Sequence, residues 1–200
     1  SLGDSVTVVS MTSGASIHNE RLEDELAKPP EERDMAIINQ LSSEYTDQKA
    51  AEMRSAAALS WVTHVRILYF PDQPSNSQPY PEVVDKLVEV ILDVRPHVMI
   101  PPSPYLRGPR GLTSGARGDH TETAFASLEA RRLAGTPRSG STEPPHTIAA
   151  TYFPGVYFEQ DQFDFVVDIG DWFEQRVQAE ATYESQGHTP TFARRRIEIG

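Results

Sequence analysis

The chain alternates short, continuous apolar runs with longer segments whose apolar residues recur every three or four positions. The first run, VTVVSM at residues 6–11, is rich in β-branched side chains, and VRILYF and HVMIP have the same character farther on. Continuous runs of this length are typical of strands buried on both faces of a sheet. Together with TIAATYF and FDFVVDI near the carboxyl end, they predict five strands.

The longer segments have the 3.6-residue apolar period of helices with one buried face. Four of them stand out, at residues 46–62, 81–95, 120–133 and 170–186. The second opens on a proline, which costs a helix nothing in its first turn. The predicted buried faces of the first, second and fourth consist of Met53, Ala57 and Trp61, of Val83, Val84, Leu87, Val88 and Ile91, and of Ile169, Phe173 and Val177.

This alternation predicts an α/β fold: a Rossmann-like, three-layer arrangement in which helices flank a mostly parallel sheet, in one domain over residues 1–200. Ligands bind such sheets beyond the carboxyl ends of the strands. That rule places Thr12, Asp72 and His120 toward one rim. The segments 15–45 and 101–118 are predicted to be long loops, and RRRIEI at the end is a candidate strand. Within the first segment only Met35, Ile37, Ile38 and Leu41 indicate a helical turn.

Composition excludes several functional classes. A net charge of −11, with no basic face to offset it, argues against a nucleic-acid binder. The chain has no cysteine, which excludes disulfides, iron–sulfur clusters and cysteine nucleophiles. No apolar run approaches the length of a membrane span and no signal-like segment opens the chain, so we expect a cytoplasmic protein. Neither a nucleotide-binding glycine motif nor a nucleophile elbow occurs.

His120 admits two interpretations. The run Asp119-His120-Thr121-Glu122 matches a capping box, in which Asp119 caps a helix, Glu122 reaches back and the histidine has no chemical role. Alternatively, His120 is a metal ligand at the start of that helix. A catalytic zinc needs three protein ligands, and of the other histidines only His18 lies near the predicted rim. Spacing alone therefore yields no metal site.

Two other features also admit both a structural and a functional interpretation. Asp72, which closes RILYFPD, is either a turn residue or a carboxylate that hydrogen-bonds a polyol. Arg107, Arg110 and Arg117 are either solvated loop residues or contacts to an anionic or polar substrate. No spacing decides between these alternatives.

The order of the segments VTVVSMTSG, RILYFPD, VRPHVMIPPSP, GDHTETAFASLEARRL and FVVDIGDWFEQRVQAEATYESQ resembles the LmbE-like/PIG-L family of metal-dependent N-deacetylases over nearly the whole chain. The closing helix of that family has a basic residue, an alanine three later, an aromatic residue or histidine four further on, and then Ser-Gln. This spacing is reproduced by Arg176, Ala179, Tyr183, Ser185 and Gln186. The family's His-Pro-Asp-His motif corresponds to Arg117-Gly118-Asp119-His120.

The resemblance implies a hydrolase that uses Zn²⁺ or another divalent metal to remove an acyl group, such as acetyl, from an N-acylated amino sugar or its conjugate. N-acetylglucosamine is the sugar expected. It assigns His120 as a metal ligand, Asp119 to its support, Asp72 to bound sugar, and Thr12 and Gly14 to the pocket border. It implies a small-molecule partner, no nucleic acid and no membrane, and it allows a homo-oligomer.

Two departures from the family pattern limit the expected activity. The Ala-His-Pro-Asp-Asp-Glu motif, which supplies two ligands and the general base, is absent; we expect it upstream of Ser1, so that residues 1–200 alone lack amide hydrolysis. Arg117 replaces a histidine thought to help the developing oxyanion. An arginine can stabilise negative charge but cannot donate a proton. The alternatives are a non-catalytic carbohydrate-binding or regulatory relative and a hydrolase acting on an amide outside sugar chemistry.

Overall fold

The computed structural model describes residues 3–14, 19–72, 80–108, 111–114, 118–140, 142–155 and 163–199. The chain groups into two compact units, a first unit of Ser1–Asp72 with Val167–Gly200 and a second unit of Gln73–Val166. Each unit combines helices with a short parallel strand pair, in agreement with an α/β fold. A single domain over residues 1–200 stays a prediction. None of the helices in the described ranges is both long and apolar enough to cross a membrane.

The first unit begins with strand β1 (Thr7–Thr12), continues through helices α1 (Glu20–Ala27), α2 (Met35–Ile38) and α3 (Ser42–Leu59), and reaches strand β2 (His64–Phe70). β1 and β2 pair in parallel, with Thr7 opposite His64 and Thr12 opposite Phe70. Both strands lie where the apolar runs predict them, which confirms this part of the sequence interpretation. Because parallel neighbours end at the same edge of a sheet, the turns that follow β1 and β2 lie side by side.

The prediction of a long loop over residues 15–45 is wrong for most of the part that the structure describes, while the helical turn indicated within it is confirmed by α2. Asn19 precedes α1 and accepts a hydrogen bond from the Leu22 N–H at 3.1 Å, and Asp34 accepts one from the Ala36 N–H at 2.8 Å at the start of α2. Caps of this kind stabilise short helices that lack a sustained apolar period. The outer faces of these helices meet water, so their composition is as polar as that of a loop.

The buried face of α3 also differs from the predicted one. Trp61, which follows the helix, is 58% exposed, and Met53 and Ala57 are only half-buried. The residues that are buried in their place are Tyr45, Lys49, Ala50 and Ala56. Tyr45 and Lys49 continue the predicted four-residue stripe toward the start of the helix, so α3 carries a lysine into the interior of the first unit.

The second unit contains helix α4 (Tyr80–Val94), strands β3 (Val98–Met99), β4 (Tyr105–Gly108) and β5 (Gly111–Ser114), helix α5 (Asp119–Ala134) and strand β6 (Ala150–Thr151). β3 pairs in parallel with β6, and β4 pairs antiparallel with β5. The predictions of α4 and α5 are confirmed. The prediction of a loop over residues 101–118 is wrong where β4 and β5 pair. β3 and β6 are much shorter than the apolar runs that predict them.

The packing of α4 against α5 fixes the start of α5 in the second unit. The buried face of α4 is branched and apolar, as predicted, and comprises Val83, Val84, Leu87, Val88, Val90 and Ile91. The facing side of α5 is small, and its buried residues are Ala124, Ala126, Ser127, Ala130 and Ala134. Small side chains on one helix let the larger side chains of the other approach its backbone closely. This contact sets the position of the first turn of α5.

The first unit is completed by the turn Gly170–Trp172, helix α6 (Phe173–Ala181), the 3₁₀ turn Glu184–Gln186 and helix α7 (Pro190–Ile199). Two strand predictions are wrong in this part of the chain. RRRIEI lies in α7, and the described residues of FDFVVDI form no strand: Val166 and Val167 are 81% and 70% exposed. An apolar run becomes a strand only where a neighbouring strand accepts its backbone hydrogen bonds.

The segment after α6 is held to α6 by the buried carboxylate of Glu180, which is 6% exposed. Arg196 Nε lies 3.1 Å, Arg176 Nη1 3.3 Å and His188 Nδ1 3.4 Å from its oxygens. Because these three side chains come from α6, from α7 and from the chain between them, Glu180 joins both helices. The turn Glu184–Gln186, here called the closing turn, lies within this span.

Candidate functional site

The turns after β1 and β2 meet through a hydrogen bond. Gly14 lies two residues beyond β1 and Asp72 two residues beyond β2, and the Gly14 N–H donates to Asp72 Oδ1 at 2.7 Å. The Asp72 side chain is buried, at 8% exposure. Thr12 is the last residue of β1, so it stands beside this contact along the chain. The roles of all three residues in substrate binding stay predictions.

A lysine from α3 joins these two turns. Lys49 Nζ donates to the Gly14 carbonyl oxygen at 2.7 Å and lies 4.9 Å from the centroid of the Tyr45 ring. The lysine is only 8% exposed. Burial lowers its pKa, and the negative charge of Asp72 opposes that effect because it favours the ammonium form. Gly14, Lys49 and Asp72 are called the strand-end cluster below.

The geometry of the cluster requires a glycine at position 14. Gly14 has φ +68°, a left-handed conformation that other residues adopt only with strain. A Cβ atom at this position would stand 3.0 Å from Lys49 Nζ. Only glycine therefore lets the backbone turn here and still offer its N–H and its carbonyl to Asp72 and Lys49.

A bulge in β2 redirects the chain just before Asp72. Between the pairs Ser10–Ile67 and Thr12–Phe70, β2 has two residues where β1 has one. One of the two, Tyr69, has φ +55°, which is strained for a tyrosine. Bulges of this kind turn a strand and re-aim the side chains that follow it. The strained residue Tyr69 is thus part of the bulge that turns β2 just before Asp72.

Glu52 of α3, three residues after Lys49, is hydrogen-bonded to the closing turn. The Ser185 N–H donates to Glu52 Oε1 at 2.9 Å, and the Ser185 hydroxyl donates to Glu52 Oε2 at 2.6 Å. A side-chain hydrogen bond also joins Ser185 to Tyr45. Burial raises the pKa of Tyr45 to about 12, so this phenol stays protonated at neutral pH.

Sequence reasoning missed Lys49, Glu52 and the structural role of Ser185. Polar residues inside a helical segment are ordinarily assigned to its solvated face. The signal that identifies Lys49 is its spacing of four from Tyr45, since residues four apart share one face of a helix. If Tyr45 is recognised as buried, this spacing predicts that Lys49 is buried as well.

The structure places His120 in the first turn of α5, in the second unit, with its side chain exposed. The interpretation that Asp119 caps this helix is wrong. Gly118 occupies the cap position, and Asp119 is the first helical residue. Arg117 and His18 lie outside the described residues, as does Arg110.

The described residues do not make up a metal site. Within them, no group of three or more histidine, aspartate or glutamate side chains is close enough to hold a metal ion. His120 offers one imidazole, whereas a catalytic zinc requires three protein ligands. The residues present thus fit a single ligand of such a site and not the whole of it.

Comparison with known sequences gives one family match. The profile of PIG-L, described as GlcNAc-PI de-N-acetylase, matches residues 1–131. This range includes the strand-end cluster as well as Asp119 and His120. A comparison with curated protein sequences gives no significant match.

Three solved structures share the fold. The conserved protein TT1542 from Thermus thermophilus is 21% identical, with a TM-score of 0.64 over 99% of this chain and 74% of that one. The N,N'-diacetylchitobiose deacetylase from Pyrococcus horikoshii is 20% identical, with a TM-score of 0.68 over 92% of this chain and 61% of that one. The 4-carboxy-2-hydroxymuconate hydratase GalB from Pseudomonas putida KT2440 is 17% identical, with a TM-score of 0.64 over 96% and 83%. One fold thus carries a deacetylase and a hydratase, so it does not by itself fix the reaction.

We predict that Gly14→Ala destabilises the protein more than Gly140→Ala. Both glycines have positive φ, so each substitution introduces backbone strain of about 1–2 kcal/mol. A Cβ atom at Gly140 meets nothing within 4 Å, whereas at Gly14 it displaces the Lys49 ammonium group. Urea unfolding measures both free energies. Equal losses for the two variants would show that Lys49 does not occupy the place described.

We also predict that Lys49→Met removes part of the pH dependence of stability. Between the lowered folded-state pKa of Lys49 and its ordinary value of 10.5, the unfolded chain binds a proton that the folded chain does not. Stability contributed by this group therefore rises with pH across that window. Unfolding free energies measured up to pH 10.5 should rise less with pH in Lys49→Met than in the wild type. Lys86→Met, at an exposed lysine, should match the wild type.

Proposed function

Since the chain belongs to the PIG-L family of GlcNAc-PI de-N-acetylases, we propose that the protein is a metal-dependent hydrolase that removes an acetyl group from an N-acetylated amino sugar or its conjugate. The observation that carries this proposal is the family match over residues 1–131. The proposal is supported by the fold, which an N,N'-diacetylchitobiose deacetylase also has. We also propose that the fold is the three-layer, Rossmann-like arrangement. The protein is proposed to be cytoplasmic.

In this proposal the strand-end cluster binds the sugar. A carboxylate accepts several hydrogen bonds and an ammonium group donates up to three, so Asp72 and Lys49 together match the hydroxyl groups of a sugar. The Gly14 N–H fixes one oxygen of Asp72, and the Gly14 carbonyl fixes the ammonium group. Both charged groups are therefore oriented before a ligand arrives, which lowers the entropy cost of binding. Thr12 and Gly14 would form the border of the pocket.

The start of α5 supplies the residues that we assign to the metal. His120 would donate one ligand to Zn²⁺ or another divalent ion, and Asp119 would support it. Arg117 would stabilise negative charge on the substrate, since a guanidinium remains protonated at all relevant pH values. Because the described residues supply only one ligand, His120 would hold the metal ion together with ligands from elsewhere.

The proposal is tested with the protein produced from its complete coding sequence. Zinc content and acetate release from N-acetylglucosamine conjugates are measured for the wild type, for His120→Ala and for His97→Ala, a control at another exposed histidine of the second unit. We expect His120→Ala to lose bound zinc and to lose more activity than the roughly 10–100-fold typical of an outer-shell change. His97→Ala should keep both. A wild-type protein without metal and without acetate release would contradict the proposal.

Arg117, in place of the family's histidine, keeps one alternative open: a relative that binds carbohydrate without hydrolysing it. The strand-end cluster has the same role in that alternative, because sugar contacts do not depend on the reaction. The two functions are separated by incubating a metal-loaded protein with the conjugate. Binding without acetate release would favour the alternative.

We predict that Asp72→Asn weakens sugar binding. The change removes a negative charge that orients Lys49 and replaces an acceptor by a donor, so the dissociation constant or KM should rise by about tenfold or more. Asp168→Asn is a matched control, because exposed Asp168 Oδ1 also accepts a hydrogen bond from a glycine two residues on, at 2.8 Å. Calorimetry or KM measurements should show no change for Asp168→Asn. Equal effects of both variants would refute a binding role for Asp72.

A further inference from the structure

The closing turn is packed into the first unit beside the strand-end cluster. It contacts both α1 and α3, and its central residue Ser185 is fully buried. Gly187, which follows the turn, has φ +72°, and a Cβ atom there would stand 3.6 Å from Glu20 Cβ at the start of α1. The chain therefore leaves the turn in a tight left-handed bend, with Ser185 held against α3.

Ser185 holds one carboxylate with two donors. Its N–H and its hydroxyl bind the two different oxygens of Glu52, at 2.9 and 2.6 Å. Gln48 Nε2 donates to Glu52 Oε1 as well, at 3.2 Å. Bonds to both oxygens fix the plane of a carboxylate as well as its position, and bonds to a charged acceptor are stronger than those between neutral groups. Glu52 is thus set in one orientation.

Ser185 also reaches Tyr45 on the same helix. The hydroxyl of a serine has one proton, and Glu52 takes it. The same side chain is hydrogen-bonded to Tyr45, and this bond lowers the pKa of Tyr45 against the larger, opposite effect of burial. One serine side chain in this way connects two residues of α3 that are seven positions apart.

These two residues stand on either side of Lys49. Tyr45 is four residues before it and Glu52 three residues after it, so all three share one face of α3. The Tyr45 ring lies under the Lys49 ammonium group, at 4.9 Å. Burial lowers the pKa of Lys49, and the charges of Asp72, Glu20 and Glu52, in that order, oppose this effect. Both neighbours of Lys49 along the helix face are consequently held by Ser185.

We infer that Ser185 is a positioning residue for the strand-end cluster: by fixing Glu52 and Tyr45, it fixes the place of the Lys49 ammonium group between Gly14 and Asp72. Its consequence for catalysis rests on the function proposed above, in which the cluster binds the sugar. The closing turn, more than 100 residues away in sequence, is then part of the binding geometry and is more than a support for the fold.

The inference is tested on the protein from its complete coding sequence with Ser185→Ala and a control, Thr182→Val. Thr182 lies between α6 and the closing turn, and its hydroxyl donates to the Ala179 carbonyl oxygen at 2.7 Å rather than to α3. The readout is the titration of the Lys49 amine, followed by NMR of labelled lysine. Thermal unfolding of both variants reports any general loss of stability.

In Ser185→Ala, Glu52 loses the hydroxyl bond to Oε2 and keeps only the bonds to Oε1. The carboxylate is then free to turn away from Lys49, so the midpoint of the Lys49 titration should move to lower pH. We expect a change of about half a pH unit, which is a roughly threefold change in the ratio of amine to ammonium. Thr182→Val should leave the midpoint unchanged even if it lowers the melting temperature. An unchanged or higher midpoint in folded Ser185→Ala would overturn the inference.

A second variant keeps the test decisive if Ser185→Ala is poorly folded. Glu52→Gln keeps the size of the side chain and removes its charge, so it should lower the Lys49 midpoint by itself. An unchanged or higher midpoint in folded Glu52→Gln would overturn the inference, because the charge that Ser185 holds would then have no effect on Lys49.

The enzymatic consequence is measured separately. If the cluster binds the sugar, Ser185→Ala should raise KM for an N-acetylglucosamine conjugate about three- to tenfold, with a smaller change in kcat. Should the wild type release no acetate, the proposed function fails and the Lys49 titration still decides the positioning role. A shifted titration midpoint with an unchanged KM would confine Ser185 to structure and refute its effect on binding.

Discussion

The first unit depends on the burial of one ammonium group. A charge that leaves water must find partners in the interior, because an unpaired buried charge costs several kcal/mol. Lys49 finds them in the Gly14 carbonyl oxygen and the Tyr45 ring, with Asp72 contributing an opposite charge. These groups come from the turn after β1, from α3 and from the end of β2. The relative positions of one helix and two strands are therefore constrained by the same cation.

The sequence predicts the parts of the fold whose signal is apolar and continuous or periodic. β1, β2, α4 and α5 are of this kind, and each lies close to its predicted position. The parts that it misses depend on partners that no local pattern contains. α1 and α2 are stabilised by caps, while residues 163–169 are exposed and form no strand in the described structure. Apolar character alone is thus insufficient for a strand, and its absence does not exclude a helix.

The residues of the candidate site also divide into those that the sequence could place and those that it could not. Gly14 and Asp72 could be placed near each other because parallel strands end at a common edge, a rule that needs only the strand predictions. Lys49, Glu52 and Ser185 could not, because each is polar and its burial is decided by tertiary contacts. His120 is indicated by the family resemblance alone; its side chain is exposed in the described structure, and its role as a metal ligand stays a prediction. Periodicity therefore locates the backbone of a site better than the polar side chains that complete it.

Specificity and reaction type have different physical origins in the proposed function. The strand-end cluster is a set of oriented hydrogen-bonding groups, and such groups discriminate among ligands by leaving a buried partner unsatisfied when the wrong ligand binds. They do not select between hydrolysis and hydration, and proteins of this fold include both a deacetylase and a hydratase. The reaction must be chosen by other groups, and in the proposed function His120 helps to hold the metal ion that such groups require. Changes in the cluster or in the closing turn should accordingly alter which sugar is accepted, whereas changes at the start of α5 should alter whether any reaction occurs.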